Sequence, residues 1–188
     1  MTKSEVSAIL RQALPVLLIC GLFQFGAGSV LGGMEDSLKI IPGILVMVPP
    51  LLALRGSIGG ALASRLGTGL HQGIIDPETL WSQEVKNNIG AALFLTFLVS
   101  VTTGVLSFSI TILSGLHAPT LHFFLSLVSI AIIAAMLSGF GLIGLTVLIA
   151  LSSYRRGWDP DNVTSPLTAS IGDLITMASI YIAVIVVL

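Results

Sequence analysis

The chain has 188 residues, 54% of them hydrophobic and 9% charged, against roughly 25% charged in a soluble domain. That deficit, with a mean hydropathy of +1.03, excludes a water-facing globule and makes a bilayer the natural solvent. The formal net charge of -1, without a basic cluster interleaved with aromatics, excludes a nucleic-acid surface, and the single Cys20 allows no internal disulfide.

Five apolar segments follow one another, and an all-α integral membrane domain over residues 1–188 is expected. The first, Ala13 to Gly33, predicts a span over about 12–34. Lys3 and Arg11 ahead of it imitate a signal peptide, but four later segments make a first span the simpler reading. The second, Ile40 to Leu54, is short for a crossing that needs about 20 residues. It must borrow from Gly56 to Ala63, giving 38–63. Pro49-Pro50 removes two successive backbone donors, so a bend or break is expected there. The freed carbonyls then suit the wall of a wet pore. Gly56, Gly60, Ser64 and Thr68 continue at i+4 spacing, a small face read mainly as close helix packing.

The polar stretch Gly67 to Asn88 contains Asp76-Pro77-Glu78. Asp76 as cap and Pro77 at the first helical position predict a short interfacial helix. The third span, about 84–115, carries Thr96, Ser100 and Gly104 on one face, and the fourth, about 120–152, is loosened by Gly139, Gly141 and Gly144. The fifth, 163–188, is preceded by Asp159-Pro160-Asp161-Asn162 and interrupted by Pro166, which leaves the carbonyl of Asn162 without its usual helical donor.

Lys and Arg placement sets the expected topology. With the N-terminus inside, cytoplasmic segments hold Lys3, Arg11, Arg55, Arg65, Lys86, Arg155 and Arg156, and outer segments only Lys39. Such asymmetry follows the positive-inside rule and leaves the C-terminus outside. Trp81, Tyr154 and Trp158 fall at the expected cytoplasmic interface.

Eight of the nine carboxylates lie in loops or near span ends, whereas Asp173 lies within the last span. A carboxylate at a helix centre costs on the order of 2.5–3.5 kcal/mol to insert and normally faces a bundle interior or wet cavity. Ser165, Ala169, Gly172, Asp173 and Thr176 share its helical face. This small, polar lining suits a hard cation with its waters, and Mg²⁺, which dehydrates reluctantly, is usually held by one or two carboxylates plus water. The plainer alternative is packing, with Thr102, Thr103 or Asn87 as hydrogen-bond partner, and a proton pathway is another. His71, His117 and His122 lack ligand spacing. No P-loop or hydrolytic triad is present, so neither a nucleotide nor an enzymatic reaction is expected.

The run Val48-Pro49-Pro50-Leu51-Leu52-Ala53-Leu54-Arg55-Gly56-Ser57, on through Ala63-Ser64-Arg65-Leu66-Gly67-Thr68, resembles span two of the MgtE magnesium transporters and their eukaryotic solute-carrier relatives. The run Arg156 to Leu167, with Ser170-Ile171-Gly172-Asp173, resembles the last span of that family. The resemblance implies that Asp173 helps hold a hydrated Mg²⁺ and that the Ala169 carbonyl, one turn earlier, faces the ion. It also implies a homodimer with a pore near the two-fold axis, because the eukaryotic relatives fuse two copies and these residues hold one. Ser57 stands where the family commonly has Asn. The N-domain and CBS pair of bacterial MgtE have no counterpart in these residues, so gating is expected to differ, to lie in the membrane part, or to depend on another chain.

The expectation is therefore a multi-pass cell (plasma) membrane protein that moves Mg²⁺, as transported ion and not cofactor, through a homodimeric pore. The candidate ion-contacting residues are Asp173, Ala169, Ser165, Asn162 and Ser57. The alternatives are a non-transporting membrane subunit, or a proton-coupled transporter of another divalent cation such as Mn²⁺ or Co²⁺.

Overall fold

Six helices account for nearly all of the computed structural model, which describes residues 3–76, 82–155 and 160–188 and the side chains of 14, 17–76, 82–149 and 168–188. They are α1 (Lys3–Gly32), α2 (Glu35–Ile40), α3 (Gly43–His71), α4 (Gln83–Leu113), α5 (Leu121–Arg155) and α6 (Pro160–Val187). No strand occurs among the described residues. By length and composition α3, α4, α5 and the Thr168–Val187 part of α6 can each cross a membrane, and α1 adds a shorter apolar stretch, Leu17–Gly32. Each such helix closes its own backbone hydrogen bonds, which lipid cannot do for it. The chain is a multi-pass membrane protein.

Local chemistry sets the helix ends. Ser82, extended at φ -61°, ψ 160°, caps α4 by accepting from the Val85 N–H at 3.3 Å. The helix start predicted at Pro77 lies outside the described residues. Gly73 and Gly115 terminate α3 and α4 at φ +68° and +67°, a left-handed conformation that glycine adopts without steric cost. The Ile74 and Leu116 N–H groups bond back to the Gly69 and Thr111 carbonyls, as in a Schellman stop. Ser82→Ala is expected to cost about 1 kcal/mol, read as faster amide exchange in the first turn of α4.

Of the bend or break expected at Pro49-Pro50, a break does not occur: α3 runs through both prolines. The prolines deprive only the Leu45 and Val46 carbonyls of helical donors. Ile44, Met47, Val48 and Leu51 on the same turns are buried against α5 and α6, which holds the segment helical.

Helix α5 lies against α4 and α6, α3 touches all three, and α1 rests on α6. Small residues permit the close approaches. A Cβ on Gly104 would lie 2.8 Å from the Val128 Cα, and one on Gly43 2.7 Å from Leu127. The Ser107 hydroxyl donates to the Gly43 carbonyl at 2.5 Å, joining α4 to α3. Gly104→Ala should force α4 off α5 at a cost of about 1–3 kcal/mol, measurable as a lower unfolding temperature in detergent.

Two apolar cores divide the bundle. One joins Ile44, Met47, Leu51, Leu127, Ile130, Ala134, Met177 and Ile180. The other joins Leu62, Leu66, Leu70, Val85, Ala92, Ile143 and Val147. Between them in sequence order along α3, α4 and α5 come Arg55, Ser100 and Ser138, and Asp173 of α6 joins this polar layer through its ion pair with Arg55.

Candidate functional site

Asp173 is held by two helices that are remote in sequence. The Arg55 Nη2 from α3 donates to its Oδ1 as an ion pair, and the Gln24 Nε2 from α1 donates to its Oδ2. Arg55 is 10% exposed at its side chain and Asp173 20%. Arg55 sits inside α3, with the helix continuing to His71. Thr102, Thr103 and Asn87 are not its partners. Thr102 donates to the Val99 carbonyl at 2.8 Å, Asn87 accepts from Gln83 at 2.9 Å, and Thr103 is buried on α4.

The same Nη2 reaches the Ala169 carbonyl, one turn before Asp173, at 3.5 Å, a long and weak contact. Gly172 makes room for the guanidinium: a Cβ there would lie 1.8 Å from Arg55 Nη1 and 2.6 Å from Leu142. Thr176 turns inward and donates to the Gly172 carbonyl at 2.8 Å. The predicted polar stripe of α6 thus runs from the exposed Ala169 through half-buried Asp173 to buried Thr176.

Two small cavities flank Arg55. One of about 50 Å³ is lined by Arg55, Gly56, Gly59, Gly60, Ala63, Leu142, Thr168 and Ala169. The other, about 20 Å³, lies among Arg55, Thr96, Ser100, Ser138, Thr176 and apolar neighbours. The hydroxyls of Thr96, Ser100, Ser138 and Thr176 donate to carbonyls of their own helices, which leaves oxygen lone pairs for the cavity. Arg55 Nε and the Thr168 hydroxyl are buried without a hydrogen-bond partner.

Ser57 is not among the described partners of Asp173. Ser57 is exposed and its hydroxyl donates to the Ala53 carbonyl at 3.1 Å. The side chains of Asn162 and Ser165 lie outside the described residues. No group of three or more His, Cys, Asp or Glu that could hold a metal occurs among the described residues. The packing predicted for Gly56, Gly60, Ser64 and Thr68 is not made among the described residues: all four are exposed, and Gly56 and Gly60 have open space around them.

Sequence reasoning missed Gln24 and the pairing of Arg55 with Asp173. The signal for Arg55 was available, since no other charge falls between Lys39 and Arg65 and ionisable groups at membrane depth pair with one another. Gln24 gave no comparable signal, being one amide on an apolar segment.

A family model described as MgtE, divalent cation transporter, matches residues 48–183. Solute carrier family 41 member 2 of Xenopus laevis is 33% identical over 189 residues, covering 94% of this chain and 32% of that protein. Member 2 of Gallus gallus is 33% identical over 184 residues, covering 94% and 31%. Member 3 of Rattus norvegicus is 29% identical over 180 residues, covering 95% and 38%. The chain thus spans about a third of the length of these curated relatives.

Proposed function

Since this chain belongs to the MgtE divalent cation transporter family, we propose that it carries Mg²⁺ across the plasma membrane through a pore formed by two copies, with Asp173 as the ion's negative partner. The observation that carries this reading is a carboxylate in the polar layer between two apolar cores, beside small hydroxyl-lined cavities and one turn from the exposed Ala169. A hydrated Mg²⁺ needs few direct ligands, and one carboxylate per subunit with carbonyls and hydroxyls facing its waters matches that preference. Five spans with the N-terminus inside complete the arrangement. α1 forms the first span, and the Lys and Arg asymmetry holds with or without Arg55 in the count.

The exposed small face of α3, with Ala169 beside it, supports the two-copy pore. Gly56, Gly60, Ser64 and Thr68 offer a second helix close backbone approach, and Gly56 and Gly60 border the cavity next to Arg55. A two-fold partner on this face would bring two Asp173 layers toward one path. Asn162 and Ser165, further toward the start of α6, are assigned to the mouth of that path, and Ser57 to its wall.

An inside-negative potential favours uptake by about 2.3 kcal/mol per charge per 100 mV, and a divalent ion gains twice that without ATP. Purified protein in liposomes with an internal Mg²⁺ indicator should show uptake that rises with an imposed inside-negative potential. Uptake no faster than in protein-free vesicles rejects transport. Dependence on a pH gradient, or preference for Mn²⁺ or Co²⁺ in competition, would favour the proton-coupled alternative.

The Arg55–Asp173 pair favours a second reading, in which Asp173 is only the counter-ion that ties α6 to α3 in a non-transporting membrane subunit. An obligate subunit carries no flux alone, so the same reconstitution separates the two.

A further inference from the structure

We propose that Arg55 makes the site select doubly over singly charged cations, by acting as a tethered cation that an incoming ion must displace. This deepens the reading of Asp173 as the ion's partner and rests on it. The guanidinium already occupies both groups assigned to the ion, donating to the Asp173 carboxylate and reaching the Ala169 carbonyl at 3.5 Å. A singly charged ion brings no more charge to Asp173 than Arg55 does, and it pays the entropy of capture that a covalent tether avoids. A divalent ion doubles the Coulomb attraction to the same carboxylate and can take the position from the arginine.

Two features make Arg55 displaceable. Its buried Nε has no hydrogen-bond partner, so the guanidinium is not locked by its full set of donors, as a purely structural arginine fork would be. It also has a place to go. The cavity of about 50 Å³ alongside it is walled by Gly56, Gly59 and Gly60, which place no side chains in the way, and by Thr168. The Thr168 hydroxyl, buried and without a hydrogen-bond partner, can accept from the displaced guanidinium. Coulomb repulsion between Arg55 and an arriving ion is smaller once the arginine has moved into this cavity.

The test compares Mg²⁺ and K⁺ flux in the same liposomes. Arg55→Gln should lower the Mg²⁺-to-K⁺ flux ratio by roughly tenfold or more, because any cation then meets an unguarded carboxylate, whereas Arg55→Lys keeps a tethered charge and should stay close to wild type. A ratio in Arg55→Gln equal to wild type overturns the proposal. If Arg55→Gln does not fold, Gly172→Ala replaces it: its Cβ displaces the guanidinium while both charges remain, and an unchanged ratio again overturns the role. The unaltered protein gives an independent readout. Saturating Mg²⁺, but not the same ionic strength of Na⁺, should increase phenylglyoxal labelling of Arg55 measured by peptide mass spectrometry, and equal labelling in both overturns displacement. A wild type without divalent flux overturns the transport reading and this role together; Mg²⁺ flux with an unaltered ratio in the variants overturns the role of Arg55 alone.

Discussion

Asp173→Asn should reduce Mg²⁺ uptake into liposomes at least a hundredfold, to near the rate of protein-free vesicles. Asparagine preserves the shape and one oxygen acceptor for Arg55 and Gln24, so the substitution removes charge more than geometry. Two unit charges about 4 Å apart attract by about 4 kcal/mol at an effective dielectric of 20, and a divalent ion doubles that. Each 1.4 kcal/mol is about tenfold in an equilibrium constant, so waters, carbonyls and hydroxyls can offset much of the loss and still leave a hundredfold effect. Indicator fluorescence under an imposed potential measures it. Flux within threefold of wild type would remove Asp173 from the ion path. The folded state is checked by size-exclusion chromatography, because the substitution also leaves Arg55 without its counter-charge.

That second consequence gives an expected stability result. Asp173→Asn and Arg55→Gln should each destabilise the protein by about 3 kcal/mol, because breaking a buried pair strands the remaining group in a poorly solvating interior. The double variant Arg55→Gln/Asp173→Asn should lose about 1–3 kcal/mol less than the sum of the two, since it leaves no charge stranded. Thermal or denaturant unfolding in detergent, as a double-mutant cycle, reads the coupling. Strict additivity would mean that the two side chains do not share a pair in solution. The double variant also separates causes: if it folds well and carries no Mg²⁺, flux is lost with the charge and not with the fold.

Much of the helical layout was legible from local pattern. The apolar runs are properties of short segments, and α4 and α5 follow them. No break occurs at Pro49-Pro50, although local rules count the missing donors. They do not see the burial of Met47 and Leu51 that holds the helix through them. The small face of α3 was legible as a face, but not as an open one. Gly104 and Gly56 look alike in sequence, yet one meets a neighbouring backbone and the other meets nothing.

By itself the sequence determined that the chain is a membrane protein, where its long helices run, and that Asp173 is out of place in lipid. Each follows from the cost of exposing apolar surface to water, or polar groups to hydrocarbon. Only the tertiary structure decided what compensates Asp173. Arg55 and Gln24 lie 118 and 149 residues away along the chain, and periodicity gives a helix a polar face without saying which other face it meets. In lipid, helices have no hydrophobic reason to choose partners. The choice falls to close fits at glycines and to the meeting of polar groups, and these exist only once the helices have come together.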